Sequence, residues 1–247
     1  MRGRWTVVGG LALVVVVCWA WISAMALDMH GTMAGPAAWM MTAGWDWPHL
    51  LLLFAMWSAM MVAMMLPSVV PALLQFARII DREPDARCSA LRTAAFAAGY
   101  VFAWTLFSLA ATIALRALTR AQLLTPVMEP AMPAFASALL LSAGGYQLLP
   151  FKRRCLSSSR SPAAFAAYRP RPGMTDAFRT GTGHGLSCLA SCWVLMLLLF
   201  AGGVMNLTVI AALTLLVLFE KIAPLGVRST VVTGGVLIGL GLWVLAR

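Results

Sequence analysis

Seven apolar stretches dominate the sequence of 247 residues and restrict the folds open to it. Several of them reach the roughly 20 residues that a helix needs to cross a bilayer. Lipid cannot bond to backbone N–H and C=O groups, so such stretches fold as helices. We expect helices near residues 5–27, 49–66 with a kinked extension to about 78, 94–115, 131–149, 183–201, 204–220 and 229–246. The sequence thus predicts an all-α, multi-pass membrane helix bundle that forms a single domain, residues 1–247.

Composition supports a lipid environment for this chain. Hydrophobic residues make up 62% of the sequence and charged residues 11%, whereas a soluble domain has about a quarter of its residues charged. The first stretch follows Arg2 and Arg4 and ends in an Ala-x-Ala pattern at Ala24–Ala26. That pattern also fits a cleaved secretory signal, but the apolar run is longer than a signal core, which favours a retained helix.

Basic residues alternate between the connections, and this alternation predicts the topology. Fifteen of the 18 lysines and arginines lie in one set of connections and only Arg116, Arg120 and Arg247 in the other. The positive-inside rule then places the N-terminus in the cytoplasm and the C-terminus outside, in a cell (inner or plasma) membrane. The net charge of +10 is explained by this distribution, so the lipid bilayer is the expected partner and nucleic acid is not.

The longest cytoplasmic connection is basic and rich in Ser and Pro. It spans Phe151–Thr180 and is expected to lie on the anionic inner leaflet, either as a solvated loop or with a short interfacial helix at Pro162–Tyr168. All five cysteines fall in helices or cytoplasmic connections on this topology, so structural disulfides are not expected.

A histidine and two cysteines recur at steps of four residues in the segment GHGLSCLASCWVLM. His184, Cys188 and Cys192 therefore form one stripe about 12 Å tall on a straight helix. Neighbouring pairs can share a metal ion, and a local break near Gly183 and Gly185 would bring His184 closer. The alternative is that the small cysteines pack helices together and the histidine caps a helix end.

A methionine stripe on the second helix has the same spacing. Met56, Met60 and Met64 again recur every four residues, and adaptable packing is the alternative to a ligand row. Met64 lies about 22 Å along the second helix from its outer end at His49. Cys192 lies about 12 Å along the predicted fifth helix from its cytoplasmic end at His184. In a hydrocarbon core of about 30 Å, the two residues therefore lie at nearly the same depth. Thioether, thiolate and imidazole are soft or borderline ligands, so Cu(I) is the expected ion and zinc the second choice.

Further candidate ligands lie near the two membrane faces. Glu220 is either a ligand or the partner of Lys221 or an arginine, and Cys155 follows the run GGYQLLPFKRRC near the cytoplasmic face. The first outside connection, Asp28 to His49, has no lysine or arginine and supplies a candidate collecting site for metal. Its candidate ligands are Met29, His30, Met33 and His49.

The motifs together resemble a known bacterial family. The runs MWSAMMVAMMLPSVVPALL, GGYQLLPFKRRCL and GTGHGLSCLASCWVLMLLLFAGGVMN, followed by LFEKIAP, are similar to a family of unknown function described as predicted metal-binding integral membrane proteins, over Phe54 to Pro224. The resemblance implies a metal-associated membrane protein with its site at the His184–Cys192 stripe. That family is expected to carry Gly-Cys-Cys before the tryptophan, where this chain has Ala190-Ser191-Cys192.

These observations favour a protein that handles Cu(I), as a carrier or as a membrane assembly factor that serves a copper-dependent protein. The outside connection would collect the ion, and the methionine helix would pass it to the thiol stripe. The sequence contains no phosphate-binding glycine motif for ATP-driven pumping, and an enzyme is not expected. A structural subunit of a larger membrane complex and a thiol-redox membrane enzyme are the alternatives.

Overall fold

The chain folds into an all-helical bundle, as the sequence predicts. A computed structural model describes residues 2–30, 46–81, 89–160, 173–222 and 227–247. Within these residues the elements are α1 (Arg2–His30), α2 (Trp47–Ile80), α3 (Ser89–Arg120), α4 (Pro133–Leu148), α5 (Pro150–Arg160), α6 (Met174–Gly202), α7 (Leu207–Ile222) and α8 (Val227–Leu245). No β-strand occurs among them; the connection after α3 contains one isolated bridge, Leu124 to Pro130.

Several of these helices suit a bilayer in length and apolarity. In the described part of the chain four qualify, namely α1, α2, α3 and α6, and a fifth span results if α4 and α5 are counted together. α8 is apolar but shorter. The seven spans and the orientation of the termini therefore remain predictions from the charge pattern.

α5 was not expected, because the sequence was interpreted as a loop from Phe151 onward. Proline at the first position of a helix needs no N–H partner and starts α5, while it keeps the residue before it out of the helical region. Leu149 is accordingly extended, with φ −65° and ψ 137°, and α4 and α5 meet at an angle of 65°. The possible interfacial helix at Pro162–Tyr168 lies outside the described residues.

α6 is longer than predicted, and it is not interrupted by a break. It begins at Met174 and runs without interruption to Gly202, so the break proposed near Gly183 and Gly185 is absent and His184 lies within the helix. α2 is likewise continuous through Pro67 and Pro71 as far as Ile80. The turn after α6 uses Gly203 at φ 88°, a left-handed conformation that favours glycine.

Glycines bring α3 and α6 into backbone contact. A Cβ atom added to Gly99 would lie 2.1 Å from the Phe178 carbonyl oxygen, and one added to Gly181 would lie 2.0 Å from the Phe96 carbonyl oxygen. One turn along, Gly185 faces Ala103. We call Gly99, Ala103, Gly181 and Gly185 the glycine seam. Small residues four apart on both helices permit this close approach, which is a common way for helices to associate in lipid.

Candidate metal centre

Cys188 lies where four helices meet. Its side chain on α6 is fully buried, and its Sγ atom lies 3.1 Å from the Tyr100 hydroxyl of α3 and 2.5 Å from Lys221 Nζ of α7. Lys221 Nζ also approaches Ser68 Oγ of α2 at 3.4 Å. One thiol therefore contacts a cation and a phenol in an otherwise apolar interior.

The glycine seam determines which way this thiol faces. Gly181 and Gly185 precede Cys188 by seven and three residues, so all three lie on the same face of α6. Because that face presses against α3 near Tyr100, the Tyr100 hydroxyl is held beside Cys188. The same hydroxyl donates to the Met65 carbonyl oxygen at 3.2 Å, which ties α2 to the same point.

Cys192 continues the stripe one turn further along α6. Its side chain is 2% exposed, and its Sγ atom donates to the Cys188 carbonyl oxygen at 3.0 Å. The two thiols also interact with each other, and Cys192 interacts electrostatically with Lys221. The described cysteines, Cys18, Cys155, Cys188 and Cys192, are all free thiols.

His184 lies at the opposite end of the stripe, among aromatic rings. Its imidazole centroid is 5.9 Å from the Phe96 ring and 6.0 Å from the Tyr100 ring. It also interacts electrostatically with Lys221. The stripe thus faces the interior of the bundle, with Tyr100 beside both His184 and Cys188.

The methionine stripe is buried in the same core as the thiols. Met56, Met60 and Met64 are at most 1% exposed, and they belong to one apolar cluster with Cys188 and Cys192. This burial is compatible with packing and with ligation alike, since a metal ion in a membrane interior needs buried ligands.

Two contacts fix how α2 and α6 are aligned. Tyr100 bridges Met65 and Cys188 at one level, while Trp57 and Phe200 pack at another, with ring centroids 5.2 Å apart. The two helices are therefore antiparallel. Met60 and Met64 lie between the two levels on α2, and Cys192 lies between them on α6. The two thioethers thus lie within the same stretch of the bundle as the second thiol.

A second polar network adjoins the thiol site. Lys152 on α5 and Glu220 on α7 form an ion pair of 2.8 Å whose side chains are 0% and 2% exposed. Gln147 donates to the other Glu220 oxygen at 2.8 Å and accepts from Lys152. Glu220 therefore pairs with Lys152 rather than with Lys221 or an arginine, and both of its oxygens already accept hydrogen bonds.

The remaining candidates belong to other elements than the thiols. Cys155 is half-buried on α5 and interacts with Tyr146. Met29 at the end of α1 and His49 at the start of α2 are both buried. The His30 side chain and Met33 lie outside the described residues. No three His, Cys, Asp or Glu side chains of the described segments are grouped closely enough to hold one ion.

Sequence reasoning missed the polar partners of the thiols. Lys221 was treated as a partner for Glu220, although the pair Glu-Lys at the end of an apolar helix is a signal for buried charge. Tyr100, Ser68 and Gln147 stand in ordinary helical contexts, and nothing local in the sequence distinguishes them. Their positions beside Cys188, Lys221 and Glu220 depend on how α2, α3, α4, α6 and α7 pack.

Comparison with known proteins identifies a family for this chain. No curated protein and no solved structure matches the chain. A family model described as PpoB2, copper chaperone, matches residues 54–244, which contain both stripes, Tyr100 and Lys221. Because this match covers well over half of the sequence, the chain belongs to the PpoB2 copper chaperone family.

Proposed function

We propose that the protein is an integral membrane carrier that holds Cu(I) at Cys188 and Cys192 and transfers it to a copper-dependent protein. The observation that carries the proposal is the pair of buried, interacting thiols at the junction of four helices, level with two buried methionines. Membrane integration is supported by the long apolar helices, and copper by the family description.

The donor set fits Cu(I) better than other metals. Two thiolates anchor the ion and Met60 or Met64 adds a soft thioether, while the His184 imidazole would receive the ion next, at the end nearest the expected cytoplasmic face. Zinc prefers four thiolate, imidazole or carboxylate ligands, and the carboxylate that precedes Lys221 in the chain, Glu220, is engaged by Lys152 and Gln147. Oxygen-seeking ions such as Mg²⁺ lack suitable ligands.

Transfer by ligand exchange follows from the arrangement. Met56, Met60 and Met64 form a ladder on α2 that ends at the height of the thiols, and His184 continues the thiol stripe on α6. An ion can move along such a series because each neighbour replaces one ligand at a time. We take the N-terminus to lie inside and the C-terminus outside. The ion would then be received at the outer end by Met29, His30, Met33 and His49.

Metal analysis of the purified chain tests this function. Loaded anaerobically with Cu(I), the parent should retain about one equivalent after desalting, and the Cys188→Ser, Cys192→Ser double variant should retain none, since thiolates anchor the ion. A Cys155→Ser variant is the control and should retain copper. A parent that retains no copper but cycles its thiols reversibly would support the redox enzyme instead. Loss of both properties would leave the structural subunit.

A further inference from the structure

Lys221 is a cation with no carboxylate within salt-bridge distance among the described residues. Its Nζ atom lies 2.5 Å from the Cys188 sulfur and 3.4 Å from Ser68 Oγ. The neighbouring acid, Glu220, forms its ion pair with Lys152. A cation held against a metal-binding sulfur is unusual, because it repels the metal ion that the sulfur would bind.

Counting charge around the thiols gives this cation a role. The Lys152–Glu220 pair is neutral as a unit, and an imidazole that binds metal is neutral. Two thiolates contribute −2 and Lys221 contributes +1, while each thiol proton is released to solvent when the metal binds. A monovalent ion therefore brings the site to zero net charge, whereas a divalent ion leaves it at +1.

We propose that Lys221 is a specificity-determining residue that makes the thiol pair selective for a monovalent soft cation, Cu(I) or Ag(I), over divalent thiol-binding ions. Net charge is costly in a buried, low-dielectric site, so the lysine opposes Zn(II) and Cd(II) more strongly than it opposes Cu(I). This inference rests on the proposed function, because it assumes that Cys188 and Cys192 hold the ion.

The test compares affinities for Cu(I), Ag(I), Zn(II) and Cd(II) on the full-length protein under anaerobic, reducing conditions. Lys221→Met removes the charge and keeps most of the side-chain volume, and Lys221→Arg keeps the charge. Relative to the parent, Lys221→Met should shift the ratio of monovalent to divalent affinity by about ten-fold or more toward the divalent ions. Lys221→Arg should keep the parental ratio, whatever its overall affinity.

A second variant lowers the net charge of the site by the same amount, by adding a negative charge and leaving Lys221 in place. Ser68→Asp adds a carboxylate beside Nζ and should shift the ratio in the same sense, whereas Ser68→Asn has nearly the same shape without the charge and should not. This pair decides the matter should Lys221→Met fail to fold. An unchanged ratio in Ser68→Asp or in folded Lys221→Met overturns the inference.

The outcomes separate this inference from the proposed function. If the parent binds Cu(I) through its two thiols but the charge variants keep the parental ratio, selection by charge is wrong and the carrier stands. If the parent binds no Cu(I) at all, the carrier and the selection are both overturned.

Discussion

At the scale of single residues, the buried polar groups distinguish this bundle from an inert one. The thiol Cys188 contacts Tyr100 and Lys221, and Glu220 receives Lys152 and Gln147. Buried polar groups are costly unless they are satisfied, and these side chains satisfy one another across different helices. Individual side chains can therefore be tested one at a time.

The two methionines level with Cys192 are expected to discriminate between metals. Changing both Met60 and Met64 to Leu should lower Cu(I) affinity and leave Zn(II) binding nearly intact, because zinc gains little from thioethers. Leucine conserves apolarity and volume, so the fold should lose little stability. Competition with a Cu(I) chelator measures the effect, and Met61→Leu serves as a single-site control. Parental Cu(I) affinity in the double variant would mean that the stripe only packs.

The Lys152–Glu220 pair is expected to dominate stability at its end of the bundle. Lys152→Met leaves a buried carboxylate without its cation and should cost about 3–5 kcal/mol of unfolding free energy. Adding Glu220→Gln to that variant removes the stranded charge and should restore part of the loss, which a double-mutant cycle in detergent measures. Two losses that simply add would show that the pair makes no coupled contribution.

At the scale of helices, the glycine seam positions the candidate metal centre. Gly99 and Gly181 each face a carbonyl oxygen of the opposite helix, and Cys188 follows on the same face of α6. The rotation of α6 about its axis is therefore fixed by backbone contact rather than by side chains that can rearrange.

Gly181→Ala is expected to disturb this seam. The added methyl would lie 2.0 Å from the Phe96 carbonyl oxygen, so α6 must shift, at a cost of roughly 1–3 kcal/mol. Gly183→Ala is the matched control, since its Cβ meets no atom within 4 Å, and it should be neutral or slightly stabilising. The midpoint temperature of thermal unfolding and the amount of copper retained should both fall for Gly181→Ala only. Equal values for the two variants would contradict the role of the seam.

Helices were predictable from sequence where a long apolar run defines them. They were less predictable where the helix is short and polar. The apolar runs predicted most of the helical segments. α5 was missed because PFKRRCLSSSR is polar, although Pro150 starts a helix whose Lys152 and Leu156 are buried. The stripe of His184, Cys188 and Cys192 followed from spacing alone. Lys221 and Tyr100 join it only through contacts between helices distant in sequence, which a local pattern does not contain.

At the scale of the whole molecule, the charge pattern predicts the orientation in the membrane. With Phe151–Thr180 inside and Asp28–Pro48 outside, a cysteine introduced at Thr42 should react with an impermeant thiol reagent in intact cells. Cys155 should react only after the membrane is permeabilised. The reverse pattern of labelling would invert the topology and with it the expected direction of copper movement.

The glycine seam also divides the metal centre into a fixed side and an adjustable side. α3 and α6 hold Tyr100, Cys188 and Cys192 against one rigid surface, because their backbones are already in contact and cannot approach further. Lys221 belongs to α7, which packs far less extensively on α6 than α3 does. If the proposed function holds, we expect exchange between the empty and the loaded protein to move α7 and its lysine past a stationary pair of thiols. Under the proposed function, copper would bind two sulfurs whose positions are set in advance, and the Lys221 side chain is the group that would have to move to admit the ion.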